Sequence, residues 1–279
     1  MSNSRYIWRK RLGWLVEKVA VLFILLFIAF PIYWLLITAF KPEEFVYSNA
    51  FIFPPTLANF RAIFAGDPLD FKPYLLNSLV ISTATVLLAI PLATMAAYTL
   101  SRYAFKGSLP LLIWFLTTQF LPPVVVVIPF FILFRRLGLV DTQISLIIIN
   151  LSLVVPYAVW MLKGFVDALP TEIEEAAVVD GCNEFEVLRR ITFPLMMPGV
   201  ITTAVFAFIM SWNEFLYALV LTRDEATTMT VGLLSTQTHR GVQWEWMSAA
   251  GLLVMVPIFF LSLTIRNYFV EGMTMGAVK

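Results

Sequence analysis

The sequence predicts an all-α integral membrane protein with six transmembrane helices. Of its 279 residues, 60% are hydrophobic and only 13% are charged, whereas soluble domains carry about a quarter charged residues. Crossing a hydrocarbon core of about 30 Å takes roughly 20 apolar residues as helix, because lipid offers no partner to an unpaired peptide group. The six stretches that qualify are Val19–Phe40, Ser78–Leu100, Leu111–Phe134, Ile144–Met161, Val200–Leu221 and Ala249–Phe269.

Individual spans carry further signals. The first is predicted to stay in the mature protein, because its apolar run is longer than a signal-peptide core and no small-residue cleavage site follows before Lys41. Proline removes a backbone donor and clashes with the preceding turn, so it tends to kink a helix, although in membrane helices it often only shapes packing. The spans contain Pro91, Pro122, Pro123, Pro129, Pro156 and Pro257.

The distribution of Lys and Arg predicts the orientation of the chain. Six spans place both chain ends on one side, and most of the 19 Lys and Arg residues fall in segments on that side. These segments are the N-terminus, the Arg102–Lys106 connection, the Lys163–Arg190 segment and the C-terminal tail. Because connections on the cytoplasmic side are enriched in cations, both termini are predicted to be cytoplasmic.

A polar segment at residues 166–198, which we name the coupling segment, separates the fourth and fifth spans. It is far too charged to cross a bilayer, so it must lie in water or against protein. Its charged residues include Glu172, Glu174, Glu175, Asp180, Glu184, Glu186, Arg189 and Arg190.

Within the coupling segment, the residues predict a helix, a glycine turn and a second helix. Glu172–Val179 has good helix formers, with acids at the end where the helix dipole is positive. Gly181 can take the left-handed conformation that ends such a helix. Such a pair of short helices suits docking into a partner's cleft, since the alternative, a helix resting on the bilayer, is usually rich in Lys or Arg. The second helix, Glu184–Ile191, is ended by Pro194 and has one apolar face: Phe185, Leu188 and Ile191.

The spacing in this segment resembles the EAA loop of ABC importer permeases, and the sugar-uptake branch in particular. It differs at Phe193, where the family usually has Leu. The pattern matches at Glu175, Ala176, Ala177, Gly181, Ile191 and Pro194. Supporting stretches are Asn77-Ser78-Leu79, Ser101-Arg102-Tyr103-Ala104-Phe105, Ser211-Trp212-Asn213-Glu214-Phe215-Leu216 and the ending Gly272–Lys279.

The resemblance implies the type I ABC importer permease fold, a single permease domain over residues 1–279, in a bacterial inner membrane. It implies an importer with a second homologous permease, two ATP-binding subunits and an external solute-binding protein. The coupling helix would contact an ATPase through Glu174, Glu175, Ala176, Ala177, Asp180, Gly181, Phe185, Leu188, Ile191 and Pro194. By the same resemblance, Thr236, Gln237, Thr238 and Trp244 would contact the binding protein, and Gly276, Ala277, Val278 and Lys279 the ATPase interface.

The chain itself is predicted not to be an enzyme and to bind no cofactor. It has no Gly-x-x-x-x-Gly-Lys-Ser/Thr phosphate loop, so ATP and Mg are expected on the partner ATPase subunits. The lone His239 has no second histidine or cysteine nearby, so no metal site is predicted. A net charge of +1 gives no reason to expect nucleic acid.

Polar residues inside spans are the natural candidates for a translocation path, because lipid-facing positions penalise them. Glu214 is the one acid well inside a span, and its alternative role is an interhelical hydrogen bond that only fixes packing. The aromatic neighbours of Glu214 offer flat faces suited to sugar C–H surfaces. The path candidates are Thr118, Gln119, Asn150, Trp212, Asn213, Glu214 and Tyr217.

Three functions remain open at this point. The first is an ABC permease for a mono-, di- or small oligosaccharide, glycoside or polyol. The second is an ABC permease for another solute such as glycerol phosphate, which would change only the cargo. The third is a secondary transporter with Glu214 as a proton or ion site, but such proteins are often built from internal repeats, and none is evident here.

Overall fold

The computed structural model describes residues 2–48, 52–66, 70–103, 105–238 and 241–275, with side chains described for 13–48, 52–66, 70–103, 105–237 and 241–264. The described chain is largely helical, as predicted. Its helices are α1 Ser2–Ala39, α2 Glu43–Val46, α3 Ala58–Phe64, α4 Lys72–Arg102, α5 Ser108–Thr118, α6 Pro123–Arg136, α7 Gln143–Asp167, α8 Thr171–Val179, α9 Glu184–Val187, α10 Phe193–Leu195, α11 Met197–Trp212, α12 Leu216–Leu221, α13 Met229–Gly232 and α14 Trp244–Met275.

Three shorter elements complete the described chain. A π-helical turn, Leu188–Thr192, joins α9 to α10, and a 3₁₀ turn, Leu233–Thr236, follows α13. A small antiparallel hairpin pairs β1 Gln237–Thr238 with β2 Gly241–Val242.

Four helices of the described chain are long and apolar enough to cross a membrane unbroken: α1 from Gly13, α4, α7, and α14 as far as Thr264. Two further crossings are bent. Helices α5 and α6 meet at 93°, and the helical segment Glu184–Leu195 meets α11 at 78°. With each bent pair counted as one span, the described chain has up to six spans, in agreement with the predicted number.

The third predicted span, Leu111–Phe134, is not one continuous helix. Helix α5 ends at Thr118 and α6 begins only at Pro123, with Pro122 as its N-cap. Two successive prolines remove two backbone donors, and the residue before a proline is disfavoured in the α conformation. Single prolines in the second, fourth and sixth spans do not interrupt their helices, which shows that the paired prolines make the difference: Pro91, Pro156 and Pro257.

The fifth predicted span, Val200–Leu221, is also interrupted. Helix α11 ends at Trp212, and α12 begins at Leu216. The Glu214 carboxylate accepts the backbone N–H groups of Tyr217 and Ala218 at 2.7 and 3.0 Å, which begins a new helix there. An acid placed before a helix start satisfies donors that have no partner inside the helix.

Backbone contacts divide the chain into two compact units, and the predicted single domain stays a prediction. The first unit comprises residues 1–69 and 236–253. In it, the most apolar stretch of α1 is exposed. The Asn59 amide donates to the carbonyls of Ala39 and Lys41 at 2.9 and 2.8 Å, closing the turn after α1.

The second unit comprises residues 70–235 and 254–279, and its centre is a bundle of α4, α7 and α11. Helices α4 and α7 run parallel, since Gln143 bonds Asn77 at one end and Arg102 bonds Val166 at the other. Small residues line the bundle and allow close backbone approach, as is usual between membrane helices: Ala89, Ala93, Ala97, Ala158 and Ala207.

Candidate functional site

The coupling segment folds as two short helical stretches joined by a tight turn. Helix α8 begins after Pro170 and has Glu172 and Glu174 in its first turn, where the helix dipole favours acids. Helix α9 and the π-helical turn form the second stretch. The predicted order of helix, turn and helix is therefore confirmed.

The turn between the two stretches is a Schellman motif built on Gly181. Its φ is +92°, which glycine adopts without strain. The N–H of Cys182 bonds the Ala177 carbonyl and the N–H of Gly181 bonds the Val178 carbonyl, both at 3.0 Å. These two bonds satisfy carbonyls that the end of α8 leaves open.

A capping box that the sequence analysis did not use fixes the start of α9. The Asn183 side chain accepts the Glu186 N–H at 3.0 Å, and the Glu186 carboxylate accepts the Asn183 N–H at 3.1 Å. Asn followed by Glu three residues later is the readable signal for this arrangement. The turn is therefore fixed on both sides, by a glycine before it and a cap after it.

The outer surface of the coupling segment exposes apolar side chains among acids. Val179 is 87% exposed, and Phe185, Val178 and Ile173 are also exposed. Large apolar side chains exposed beside charged ones favour a protein-docking role. The exposed acids of the segment are Glu172, Glu175, Asp180 and Glu184.

The predicted apolar face of the second helix is only partly available. Phe185 is exposed, but Leu188 packs against the bundle core and Ile191 is half-buried. The π-helical turn accounts for this, because its wider winding breaks the 3.6-residue spacing on which the prediction rests. Pro194 and Ala176 are exposed.

Glu174, in contrast, points inward and is only 7% exposed. Its carboxylate forms an ion pair with Arg102 at 2.7 Å and accepts the Thr192 hydroxyl at 2.8 Å. Ala177 is also buried, at 7%. Of the two adjacent acids, Glu175 faces outward and Glu174 joins parts of the chain to one another.

Three of the predicted path residues, Thr118, Gln119 and Tyr217, lie together. They line a cavity of about 500 Å³ beside the bend between α5 and α6. The Gln119 amide donates to the Leu153 carbonyl at 3.1 Å. The remaining lining is mainly apolar and aromatic, including Trp114.

Two other path candidates are buried in packing. Asn150 donates to the Ser211 hydroxyl at 2.9 Å, which links α7 to α11. Trp212 is 1% exposed, donates its indole N–H to the Val254 carbonyl at 3.0 Å and stacks on Phe208. Both residues hold helices together in this conformation.

The last two path candidates lie at the break in the fifth span. Asn213 is exposed, while Glu214 is half-buried with its carboxylate directed at the start of α12. Its backbone carbonyl also accepts the Thr230 hydroxyl at 2.8 Å. Glu214 thus serves as a helix cap, a use that the sequence analysis did not consider.

The residues assigned to the external partner surround the hairpin. Thr236 is buried, Gln237 is exposed and Trp244 is half exposed. The side chain of Thr238 and the whole tail from Gly276 to Lys279 lie outside the described residues. Among the residues that the structure describes, no group of three or more His, Cys, Asp or Glu side chains could hold a metal ion.

Asp141 was not identified from the sequence, yet it organises the end of the bundle opposite the coupling segment. It has φ +63°, which is uncommon for a residue other than glycine. Burial pushes the pKa of its carboxyl upward, but four backbone N–H groups outweigh this and hold the pKa below its usual range. The N–H donors lie 3.0 to 3.2 Å away, on Arg223, Asp224, Glu225 and Ala226.

The chain shares its fold with solved importers. It matches one chain of a bacterial ABC transporter involved in the import of the acidic polysaccharide alginate, with a TM-score of 0.77 and 20% identity over 96% of this chain and 99% of that chain. A second match, with a TM-score of 0.69 and 16% identity over 96% of both chains, is to that transporter in complex with alginate pentasaccharide-bound periplasmic protein. These likenesses confirm the predicted permease fold.

Sequence relatives cover nearly the whole chain. A probable ABC transporter permease protein, y4oR of Sinorhizobium fredii, is 36% identical over 100% of this chain and 99% of its own length. The diacetylchitobiose uptake system permease protein DasC of Streptomyces coelicolor is 32% identical over 97% and 99%. The trehalose/maltose transport system permease protein MalG of Thermococcus litoralis is 32% identical over 90% and 91%.

A family profile described as the binding-protein-dependent transport system inner membrane component matches residues 89–275. This match begins within α4 and covers α7, the coupling segment, α11 and α14. Together with the relatives, it establishes that the chain belongs to the binding-protein-dependent transport system inner membrane component family, the permease subunits of ABC importers.

Proposed function

We propose that this chain is one of two permease subunits of an ATP-driven importer for a small oligosaccharide or related glycoside. The observation that carries the mechanical part is the coupling segment, whose fixed turn lies between helices that expose apolar side chains among acids. The cargo class rests on the relatives, whose names specify diacetylchitobiose, trehalose/maltose and arabinooligosaccharides. A permease for another solute such as glycerol phosphate would keep every mechanical feature.

In this proposal the coupling segment docks into a cleft of a partner ATPase. Phe185 and Val179 enter the cleft, while Glu175 and Asp180 pair with charges at its rim. ATP and Mg bind the two ATPase subunits, and closure of that pair moves the coupling segment. The chain's own contribution is mechanical rather than catalytic.

The orientation that supports this mechanism places the coupling segment and both termini in the cytoplasm of a bacterial cell. The tail from Gly276 to Lys279 then reaches the ATPase interface. Thr236, Gln237, Thr238 and Trp244 would meet the external solute-binding protein. A second, homologous permease supplies the other half of the path.

The path residues supported best by their surroundings are Thr118, Gln119 and Tyr217. They line one cavity, and irregular backbone at membrane depth is tolerated where it is buried in protein or lines a cavity. Glu214 is already engaged in capping α12, which argues against its use as a proton or ion site. Family membership argues against the secondary transporter as a whole.

The test is purification of the importer from membranes of cells that express the chain with its genomic neighbours. Co-purifying proteins are identified, and the complex is reconstituted into liposomes with the external binding protein. Uptake of labelled diacetylchitobiose, maltose, trehalose and arabinotriose is measured with and without internal ATP. ATP-dependent uptake of one of these sugars is expected, and a chain that purifies without an ATPase would refute the proposal.

A further inference from the structure

Three consecutive polar residues, Ser101, Arg102 and Tyr103, lie at the end of α4, and the first two bond other helices. Ser101 bonds the Asp167 carboxylate at the end of α7. Arg102 bonds Glu174 on α8. Such a run of three polar residues at a helix end was part of the family resemblance, but nothing in the proposed function uses it.

Arg102 makes most of these bonds. Its Nε donates to Glu174 Oε2 at 2.7 Å and its Nη2 donates to Glu174 Oε1 at 3.2 Å. The same Nη2 donates to the carbonyls of Val166 and Leu169 at 3.0 and 3.1 Å, at the end of α7. The Val166 carbonyl also accepts the Leu169 N–H at 3.1 Å, and a cation near the C-terminal end of a helix is favoured by the helix dipole.

Glu174 carries the connection onward. Its Oε1 accepts the hydroxyl of Thr192, which is fully buried in the π-helical turn. One buried carboxylate and one buried guanidinium therefore join α4, α7, α8 and the π-helical turn. Their side chains are 10% and 13% exposed, so water competes little for these bonds.

Two further interactions lie beside this connection. Asp167 is also paired with Lys163 at 2.7 Å, one turn earlier on α7. The nearby Glu184 carboxylate raises the pKa of the Tyr103 hydroxyl to about 12. The end of α4 is thus attached to α7 by Ser101 and to α7 and α8 by Arg102.

We propose that Ser101 and Arg102 form a joint through which movement of the coupling segment is passed to α4 and α7 together, with Arg102 as its principal positioning residue. This inference rests on the proposed function of the coupling segment. A guanidinium suits the task because it holds several acceptors in one rigid geometry, which a lysine ammonium cannot. Breaking it lets the coupling segment move without the bundle.

The first experiment measures this rigidity directly. Spin labels are placed on Thr171, exposed at the start of α8 in the coupling segment, and on Leu92, exposed on α4, in a Cys182→Ser background. In the reconstituted complex, the label-to-label distance is expected to have a narrow distribution. This distribution should be the same without nucleotide and in the presence of ATP plus EDTA. In the Arg102→Gln variant, we expect a broadened distribution that changes on addition of ATP.

The second experiment measures sugar taken up per ATP hydrolysed, using the sugar that the wild-type complex transports. Arg102→Gln is expected to lower this ratio about tenfold, a magnitude within the range of single-residue effects on coupling. Arg102→Lys should recover only part of it. Lys106→Gln, an exposed cation on the same connection, is the matched control and should leave the ratio unchanged.

A substitution at Thr192 removes fewer bonds than one at Arg102, so the variant is expected to fold more readily. Thr192→Val removes only the hydroxyl that bonds Glu174, and we expect about a threefold lower uptake-to-hydrolysis ratio. Thr192→Ser should restore it. A normal ratio in both Arg102→Gln and Thr192→Val, with narrow distance distributions, would overturn the joint while leaving the coupling segment's function intact. Absence of ATP-driven uptake in the wild type would instead refute the proposed function.

Discussion

The two ends of the α4–α7–α11 bundle are closed by single charged residues of opposite sign. At the end next to the coupling segment, Arg102 donates to carbonyls at the end of α7 and to the Glu174 carboxylate. At the other end, Asp141 accepts N–H groups from four successive residues after α12. Each charge bonds several backbone groups of the opposite polarity.

The two ends differ in what the charge holds. Asp141 bonds only backbone, and nearby Asn77 reinforces it by donating to the carbonyls of Glu225 and Thr227 at 2.8 and 3.0 Å. Arg102 depends on a second side chain, Glu174, which belongs to the coupling segment. The Asp141 end therefore fixes a loop in place, whereas the Arg102 end joins two parts that are proposed to move together.

The largest expected effect comes from removing the charge at the Arg102 end. Arg102→Leu leaves the Glu174 carboxylate buried without its cation, and losing one partner of a buried pair costs about 3 to 5 kcal/mol of unfolding free energy. The double variant Arg102→Leu, Glu174→Leu should recover a large part of this. Thermal unfolding of the purified permease in detergent measures both, and equal losses in the single and double variants would contradict the buried-pair account.

A smaller effect is expected at the Asp141 end. Asp141→Ala leaves several loop N–H groups to water and should cost about 2 kcal/mol, the upper range for loss of a capping acid. Asp141→Asn, which keeps one acceptor oxygen, should cost less. The measurement is the unfolding temperature of each variant at neutral pH.

The same residue predicts a pH dependence. Because the folded pKa of Asp141 is lowered, its stabilisation is present above the ordinary carboxyl pKa and is lost as pH falls through the folded pKa. The wild type should therefore lose stability toward acid more steeply than Asp141→Asn. Parallel unfolding curves for the two proteins below neutral pH would contradict this assignment.

Packing beside the Arg102 end gives a third comparison. A Cβ added to Gly199 would lie 2.3 Å from the Phe165 ring, so Gly199→Ala should cost about 1 to 2 kcal/mol through overpacking. Gly164, also helical and near this end, has no atom within 4 Å of an added Cβ. Gly164→Ala is the control, and its unfolding temperature should match or exceed that of the wild type.

The smallest effect is expected within the coupling segment itself. Gly181 has positive φ but open space around it, so Gly181→Ala should cost about 1 kcal/mol from backbone strain alone. Gly181→Pro should do more, since proline cannot take positive φ and removes the N–H that bonds Val178. We expect Gly181→Pro to insert normally but to lose ATP-driven uptake, and normal uptake would refute the turn's role.

Local signals in the sequence predicted local structure well. Apolar run length predicted the spans, and the glycine after α8 predicted a positive-φ turn, because both depend only on neighbouring residues. The capping box at Asn183 was readable by the same logic but was not used. The break near Pro122 shows the limit, since a proline inside an apolar run can either bend a helix or end it.

The inward direction of Glu174 could not be read in this way. Glu174 and Glu175 are adjacent acids in one helix, and only the position of Arg102, 72 residues earlier, decides which of them is buried. The same holds for Asp141, whose four donors lie more than 80 residues later in the chain. Periodicity alone cannot reveal partners so distant in sequence.

The sequence by itself determined the membrane class, the approximate spans, and the helix–turn–helix of the coupling segment, because these follow from hydrophobicity and from local backbone preferences. The tertiary structure alone decided which charged residues lie on the surface and which form internal ion pairs or hydrogen bonds. It also decided where two spans break and which polar residues share a cavity. Those outcomes depend on side chains brought together from distant parts of the chain, where burial makes an unpaired charge costly and so selects its partner.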